Sequence, residues 1–252
     1  LFDSAKEIGG QFNIAKRIPG KEEFYETIRY FAKEISISGV FLKLGFRAGP
    51  KDLASFDEVI LATGVMPRTP EIIGIEHPKV VGYLDVISGA QVGKSVAVIG
   101  AGGIGFDISE FLIHTGVSSS QDIPNFMKEW GIDMSMKARG GVEGMVAEFK
   151  PAARKIYLLQ RKAKKVGAGL GKTTGWIHRK NLTKRGVQMI SGVTYNKIDD
   201  DGLHISVGDE SRVLPVDTIV ICAGQDSERS LLKHLPKAHL IFGSDVAAEL
   251  DG

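Results

Sequence analysis

Residues 95–112 read SVAVIGAGGIGFDISEFL, an apolar run followed by closely spaced glycines and a segment with helical spacing. Gly100, Gly102 and Gly105 have the G-x-G-x-x-G spacing of a dinucleotide-binding turn, to which we also assign Gly103. The first glycine permits the tight turn, the second lets the backbone approach a pyrophosphate, and the last lets the helix pack close to the strand. The stretch therefore predicts a nucleotide site at a helix N-terminus.

The composition is that of an ordinary globular protein. The 252 residues are 43% hydrophobic and 25% charged, enough for two modest domains or one large α/β unit. A net charge of +2 argues against a general nucleic-acid surface, so we expect no nucleic-acid partner. No apolar run approaches the ~20 residues of a membrane span, and no secretory signal is recognisable. We therefore expect a cytoplasmic protein without a membrane partner.

Cys222 is the single cysteine of the sequence. One cysteine excludes an internal disulfide and cannot by itself hold an iron–sulfur cluster or a structural zinc ion. We predict no metal site in this chain and interpret Cys222 as a small buried strand residue.

The first residues predict an incomplete second nucleotide-binding unit. Leu1 to Asp3 are typical of the end of a second Rossmann strand, whose terminal acid accepts hydrogen bonds from a ribose, and a glycine-bearing loop follows at 8–12. The strand and glycine turn that should precede them are absent, so we expect the chain to be a fragment of a longer polypeptide. The elements predicted next are a helix over 21–38 and strands over 40–44 and 56–64.

Two similar stretches indicate an internal duplication. FDEVILATG at 56–64 and VDTIVICAG at 216–224 both run from an acid through an apolar strand to Ala-x-Gly. The order of parts predicts a partial FAD-binding domain over 1–91, an NADP(H)-binding domain over 92–225 and a return segment over 226–252. The predicted fold class is α/β, with two nested Rossmann-like domains of the glutathione reductase type, of which the FAD half is incomplete.

The residues after the second strand of the inner domain bear on the cofactor. This strand, KIYLLQ at 155–160, is separated from the glycine turn by an insertion over about 118–150, which we expect to be a surface excursion of unassigned role. An NAD-selective site would place an acid next, whereas this chain has Arg161 and Lys162. A planar guanidinium beside a mobile ammonium suits a 2′-phosphate. With the glycine turn this pair predicts NADP(H); alone, it fits a solvated basic strand end.

A second glycine-rich segment, GAGLGKTTGWIHR at 167–179, is not an ATP-binding loop. That motif needs glycine at 166, where this sequence has Val166. Thr173 or Thr174 is predicted to cap the helix that follows. We interpret His178 as a surface histidine, because the sequence shows no partner carboxylate or nucleophile for it.

The C-terminal part predicts short strands and one acidic site. Alternating runs between 187 and 214 predict a small β-meander, and a hairpin tip explains the DDDG sequence at 199–202 better than calcium binding does. HLIFGSDVA at 239–247 is predicted to bring Asp245 to the FAD ribityl or pyrophosphate region. A helix N-cap by Ser244 or Asp245 is the alternative, and both can hold together.

Five longer stretches carry a family resemblance. They are EIGGQFNIAKRIPGKEEF at 7–24, VILATGVMPRTP at 59–70, VIGAGGIGFD at 98–107, EWGID at 129–133, and the run from LLQRK through GLGKTTGWIHR at 158–179. They closely resemble bacterial NADPH-dependent 2,4-dienoyl-CoA reductase, a barrel flavoprotein of the old yellow enzyme type, over essentially the whole chain. The resemblance implies an N-terminal TIM barrel with FMN and the dienoyl-CoA site, a four-cysteine 4Fe-4S cluster, and C-terminal FAD and NADPH domains.

The motifs also imply site residues. Those for NADPH are Arg161 and Lys162 at the 2′-phosphate, with Lys180, Asn181, Leu182 and Thr183 completing the pocket. Those for FAD are Asp3, Gln11, Lys21, Ala48, Gly64, Asp245 and Ala248. Glutamate is common in the family where Asp3 stands, and the chain ends before the helix that closes over the flavin. We therefore expect an incomplete FAD site and assign no catalytic residue, because the barrel is missing.

The implied activity is transfer of a hydride from NADPH to FAD, followed by electron transfer through the cluster to FMN and reduction of an unsaturated fatty acyl-CoA in β-oxidation. The implied partner is the barrel and cluster region of the same polypeptide, and the acyl-CoA would bind outside these 252 residues. The alternative is a non-catalytic ADP- or dinucleotide-binding module of a related amine dehydrogenase or NADH oxidase.

Overall fold

The computed structural model describes residues 1–247. These residues form two compact units. The first contains Leu1–Arg17, Lys21–Arg68 and the residues from Gly224 onward, and the second contains Ile18–Gly20 and Thr69–Ala223.

The secondary structure alternates short strands and helices. The helices are α1 (Phe12–Ala15), α2 (Phe24–Ile37), α3 (Pro50–Leu53), α4 (Tyr83–Ser88), α5 (Gly103–Ile113), α6 (Ile123–Trp130) and α7 (Gly175–Lys184). The strands are β1 (Ile60–Leu61), β2 (Val65–Pro67), β3 (Val80–Gly82), β4 (Ser95–Ile99), β5 (Lys155–Leu159), β6 (Gln188–Ile190), β7 (Val193–Asp199), β8 (Gly202–Val207), β9 (Glu210–Leu214), β10 (Thr218–Ile221), β11 (Gln225–Ser227) and β12 (His239–Leu240). Single 3₁₀ turns lie at Ser119–Gln121, Arg139–Gly141 and Phe242–Ser244.

A parallel five-stranded sheet forms the centre of the second unit. Its strand order is β3-β10-β4-β5-β6, so β4, which leads into the glycine turn, is a central strand. Val96, Ala97 and Val98 of this strand are fully buried. Burial on both faces is typical of parallel sheets, because their crossover connections cover the faces. The α/β class and the strand predicted at the start of 95–112 are thus confirmed.

Different elements cover the two faces of this sheet. On one face α5 contributes the buried side chains of Phe106, Ile108 and Leu112. On the other, Ala97 and Ile99 join one apolar cluster with residues of the antiparallel sheet β7-β8-β9, including Leu203 and Ile205 of β8. The core of the second unit therefore lies on both sides of β4.

The β-meander predicted between 187 and 214 is present in part. Strands β7, β8 and β9 pair antiparallel, and Asp199 pairs with Gly202 across the tip of the first hairpin. The first predicted run, however, is β6, which pairs in parallel with β5 at the edge of the main sheet. Because α7 connects β5 to β6, the two strands form a βαβ crossover, and such a connection gives a parallel pair.

The first unit has less regular structure. Helix α2 confirms the helix predicted over 21–38, and Phe2 forms a parallel bridge with Lys43. The strand predicted over 56–64 is reduced to Ile60–Leu61, because β12 pairs with it over only two residues. Leu61 is buried, whereas Ile60 is 64% exposed, so the prediction of a buried strand was wrong at that position.

Residues 69–91 group differently from the predicted domain division, which placed them in the first domain. They lie in the second unit, where β3 pairs in parallel with β10. This pairing joins segments that are distant in sequence, so the local pattern of 69–91 gave no sign of it. Conversely, β11 begins at Gln225 in the first unit, where it pairs antiparallel with β2.

The longest helix of the described chain, α2, has 14 residues. Within residues 1–247, no helix has both the length and the apolar character needed to cross a membrane.

Candidate nucleotide site

The turn between β4 and α5 requires glycine at two positions. Gly100 has a φ of +109°, and a Cβ on it would lie 2.1 Å from the Cys222 carbonyl oxygen. A Cβ on Gly105 would lie 1.8 Å from the Gly100 carbonyl oxygen. Both contacts are with backbone, which cannot move aside as a flexible side chain can. The tight turn and the close helix approach inferred from the sequence are therefore present in the structure.

The N-terminus of α5 directly follows the glycine turn. Gly102, which has no side chain, is the N-cap residue in an extended conformation, and Gly103 begins the helix. The first turn contains no acidic residue, so no carboxylate of that turn compensates the positive end of the helix dipole. A diphosphate placed there would find the positive end of the helix.

A basic loop, defined here as residues 160–165, follows β5. It contains the exposed residues Arg161, Lys162, Lys164 and Lys165. Gln160 holds its shape, because the side-chain Nε2 donates to the carbonyls of Lys162 and Lys164, both at 2.8 Å. An ordered backbone thus presents four cations at the carboxyl ends of the parallel strands, where the glycine turn also lies. Among the described residues none of the four forms an ion pair with an acid.

The four residues of α7 predicted to line the nucleotide pocket differ in exposure and in hydrogen bonding. Lys180 and Thr183 are exposed, whereas Leu182 is fully buried in the core. The Asn181 side-chain amide donates to Glu110 at 2.5 Å and its oxygen accepts from Arg185. Leu182 and Asn181 therefore fix α7, and the predicted nucleotide contact stays a prediction for Lys180 and Thr183.

Two expectations about α7 need correction. Thr174 is the N-cap residue, but its side chain forms no cap hydrogen bond. His178 does have a partner carboxylate, because its Nδ1 lies 3.6 Å from Glu110 Oε2. The partner belongs to α5, so sequence proximity could not reveal it. The imidazole nevertheless remains partly exposed, with 36% side-chain accessibility.

The insertion over 118–150 is more than a surface excursion. Its helix α6 carries Glu129, whose carboxylate pairs with Arg185 at 3.0 Å, and the two side chains are only 6% and 10% exposed. Arg185 directly follows α7 and also stacks on Phe149. The insertion therefore holds the C-terminal end of α7 through a buried ion pair.

The predicted FAD residues lie in the first unit. Asp3 is on the wall of a pocket of about 260 Å³ whose other lining is apolar, including Phe12, Ile28 and Phe31. Its Oδ1 accepts from the Ala5 N–H at 2.8 Å. The pocket thus combines one carboxylate with apolar walls.

The other predicted FAD residues are dispersed along this unit. Gln11 is exposed at the start of α1, and Lys21 and Ala48 are half-buried. Gly64 has a φ of +75°, and its carbonyl accepts from the Glu228 N–H at 2.9 Å. Asp245 is exposed and lies 3.9 Å from Arg229. The prediction for Ala248 falls outside the described residues.

Ser244 is fully buried, and its one hydroxyl hydrogen is shared between the carbonyl oxygens of Leu61 and Ile241, which lie 2.6 and 2.7 Å from Oγ. These bonds attach the 3₁₀ turn beside Asp245 to β1.

One cluster has the composition of a metal site. Ligand atoms of Asp199, Asp201 and His204 lie within 4.8 Å of one another at the tip of the β7–β8 hairpin. Lys197 and His204 both bind the Asp199 carboxylate at 2.8 Å, and these contacts hold the pKa of Asp199 well below its usual range. The ammonium of Lys197 thus compensates the charge of this acid within the hairpin.

Cys222 is buried at the end of β10, as predicted. Burial, reinforced by the charge of Asp107, raises the pKa of its thiol. The group is therefore a protonated thiol at neutral pH and not a nucleophile.

A parallel sheet with a glycine turn at a helix N-terminus defines a dinucleotide-binding protein of Rossmann type. More specifically, this chain belongs to the pyridine nucleotide-disulphide oxidoreductase family, whose sequence model matches residues 10–240. The 252-residue sequence has one cysteine, so no redox-active disulfide can form between two cysteines of these residues.

Known proteins of several activities are similar to this chain. A metal reductase from Desulforamulus reducens is 24% identical over 242 residues, which cover 93% of this chain and 35% of that protein. A 2-naphthoyl-CoA reductase in complex with 2-naphthoyl-CoA superposes with a TM-score of 0.77 at 23% identity, over 99% of this chain and 33% of that one. Histamine dehydrogenase from Rhizobium sp. 4-9 has a TM-score of 0.70 at 16% identity, over 99% and 37% of the two chains.

These comparisons concern fold and family. The chain spans about a third of the length of the three proteins. The two structural similarities, at 23% and 16% identity, establish a shared fold.

Proposed function

We propose that this chain is the NADPH-binding and partly FAD-binding region of a 2,4-dienoyl-CoA reductase. The observation that carries the NADPH assignment is the basic loop, where Arg161 and Lys162 stand exposed at the position in which an NAD-selective site has an acid. The motif resemblance supports the acyl-CoA assignment, and the fold shared with a 2-naphthoyl-CoA reductase is compatible with it.

The residues fit a dinucleotide phosphate. Gly100 and Gly105 permit the tight turn and the close approach of α5 to β4, and the positive end of the α5 dipole suits the pyrophosphate. Arg161 offers a planar fork for the 2′-phosphate and Lys162 a second positive charge. When bound, NADPH and FAD supply hydride transfer and onward electron flow toward the acyl-CoA site, which lies outside these residues. The chain itself binds and orients the nucleotide.

The first unit fits the adenosine end of FAD in part. The pocket beside Asp3 has apolar walls for a purine, and its carboxylate suits ribose hydroxyls.

The NADPH assignment is tested by Arg161→Glu in the full-length protein. Loss of a charge-assisted contact and gain of repulsion should raise the Kd for NADPH about 10- to 100-fold and leave the Kd for NADH nearly unchanged. Lys94→Glu is the matched control, because Lys94 is exposed next to the other end of β4. Equal weakening of both nucleotides would exclude a 2′-phosphate site at Arg161.

A non-catalytic nucleotide-binding module is the second candidate, and the fold shared with histamine dehydrogenase is compatible with it. Stopped-flow absorbance separates the two functions. A working NADPH domain bleaches the flavin of the full-length protein when NADPH is mixed in, whereas a binding-only module takes up the nucleotide and leaves the flavin oxidised.

A further inference from the structure

The hydroxyl of Tyr195 has no protein hydrogen-bond partner. Among residues 1–247 it is the one buried side-chain nitrogen or oxygen in that state. The ring packs against the apolar core between the parallel sheet and the meander. An unsatisfied buried hydroxyl lowers stability, a cost that phenylalanine would avoid with the same ring. The hydroxyl therefore lowers the stability of the ligand-free protein. Its presence is explained if another state of the molecule gives it a hydrogen-bond partner.

Backbone hydrogen bonds bring Tyr195 close to the basic loop. The Val193 N–H donates to the Gln160 carbonyl at 3.0 Å, and the Gly192 N–H donates to the Lys162 carbonyl at 3.2 Å. Arg161 stands between these two anchored residues. Tyr195 follows Val193 by two strand positions, hence on the same face and about 7 Å along β7, a span that a tyrosine and an arginine side chain together cover.

The electrostatics agree with this geometry. Burial raises the pKa of Tyr195, and the positive charge of Arg161 opposes that rise. The guanidinium is thus within electrostatic reach of the hydroxyl. Arg161 has no acidic partner among the described residues, so its five N–H donors are not committed to a carboxylate.

We propose that Tyr195 is a positioning residue for the 2′-phosphate of NADP(H), acting through Arg161. Its hydroxyl accepts one N–H of the guanidinium when the remaining N–H groups bind the phosphate. The inference rests on the proposed NADPH site. The hydroxyl gains its partner only in the nucleotide-bound state, so the stability it costs in the free protein is recovered as affinity and as discrimination between NADP(H) and NAD(H).

The test measures Kd values of NADP⁺ and NAD⁺ for the full-length protein and its variants Tyr195→Phe, Arg161→Gln and the double variant. Tyr195→Phe should weaken NADP⁺ about five- to tenfold and leave NAD⁺ unchanged. The double variant should bind NADP⁺ no more weakly than Arg161→Gln alone, because the hydroxyl acts through the guanidinium. Thr194→Val, an exposed neighbour on the opposite face of β7, should bind both as the unmodified protein does.

Thermal unfolding of the ligand-free protein distinguishes this role from a structural one. Tyr195→Phe should have an unchanged or higher Tm, because it removes an unsatisfied buried group. A lower Tm, equal weakening of both nucleotides, or additive effects in the double variant would overturn the inference. If Arg161→Gln weakens NADP⁺ more than NAD⁺ and Tyr195→Phe does not, only the role of Tyr195 fails. If Arg161→Gln weakens both nucleotides equally or weakens neither, the proposed NADPH site fails as well.

Discussion

The guanidinium of Arg68 donates two hydrogen bonds to one carboxylate oxygen of Asp226, from Nε at 3.0 Å and from Nη2 at 2.5 Å. The pair joins the end of β2 to β11, near 68–69 and 223–224, two of the points at which the chain passes between its two compact units. Both side chains are more than half exposed, so solvent screens the pair and its effect on global stability is small. Its effect is local to the two strands.

Asp226→Asn should therefore increase hydrogen exchange at 65–68 and 224–227 without lowering the global Tm. The hydrogen bonds and charge of Arg68 hold the pKa of Asp226 below its usual range. The stabilisation of the two strands by the Arg68–Asp226 pair is thus present above the unfolded-state pKa of Asp226. It is lost as pH falls through the lower folded-state pKa. Mass-spectrometric hydrogen exchange checks both effects. Asp57→Asn, an exposed acid in the same unit, should change neither segment, and unchanged exchange in Asp226→Asn would contradict the prediction.

Gly105→Ala should disable the nucleotide turn. The new methyl group would lie 1.8 Å from the Gly100 carbonyl oxygen, so α5 must move away from β4. We expect a loss of about 1–3 kcal/mol in the free energy of unfolding and weaker binding of both NADP⁺ and NAD⁺. Urea unfolding and nucleotide titration measure the two effects. Gly169→Ala is the control, since a Cβ there meets nothing within 4 Å. A stable Gly105→Ala with unchanged nucleotide affinity would show that close packing at this turn is not required.

Glu129→Ala, which breaks a buried ion pair, should destabilise the second unit far more than Glu148→Ala, which breaks an exposed one. Removal of one partner from a buried ion pair leaves an uncompensated charge, so we expect a loss of about 3 kcal/mol in the free energy of unfolding. Glu148→Ala, from the Lys128–Glu148 pair of the same insertion, should have little effect, because both of its side chains are about 60% exposed. Urea unfolding of the two variants gives the comparison. Equal losses would mean that the insertion does not anchor α7 through Arg185.

Asp133→Asn should loosen the loop at 133–138. The Asp133 carboxylate accepts from the backbone N–H groups of Ser135, Lys137 and Ala138, at 2.7 to 2.8 Å, and from the Ser135 hydroxyl. These bonds hold the pKa of Asp133 far below its usual range. The loop contribution is thus complete above the unfolded-state pKa near 3.8 and is lost only as pH falls through the lower folded-state value.

The measurement for this loop is amide exchange at neutral pH. Ser135, Lys137 and Ala138 should exchange faster in Asp133→Asn, while the amides of β4 should not change. Asp122→Asn is a useful reference, because Asp122 caps α6 through a single N–H. If the three loop amides keep their protection, the carboxylate does not organise the loop.

Features set by neighbouring residues could be predicted from the sequence. The strand at 95–99, the turn at Gly100 and the helix from Gly103 follow from apolar periodicity and glycine spacing within 20 residues. The hairpin at Asp199 and Gly202 was likewise a local pattern. The assignment of Arg161 and Lys162 to a 2′-phosphate used only their position after a strand, and it stays a prediction.

Features that depend on distant partners could not be predicted. Residues 69–91 belong to the second unit because β3 pairs with β10, far along the chain. Glu110 as the partner of His178, and Arg185 as the partner of Glu129, are side-chain contacts across more than 50 residues. Periodicity has no information on such pairs. The same holds for Tyr195, whose unsatisfied hydroxyl is visible only when the surrounding atoms are placed.

Cys222 lies directly under the glycine turn, with its carbonyl against Gly100 and its N–H donating to Ile99 at 2.8 Å. The only thiol of the sequence is therefore buried on a residue whose backbone is packed against the segment proposed to hold the cofactor phosphates. A thiol reagent can reach it only when the surrounding structure opens, so the labelling rate of Cys222 follows the local opening equilibrium of the protein beside the turn. The protein thus contains an intrinsic chemical reporter, whose protection by added nucleotide would measure local rigidification without any engineered probe.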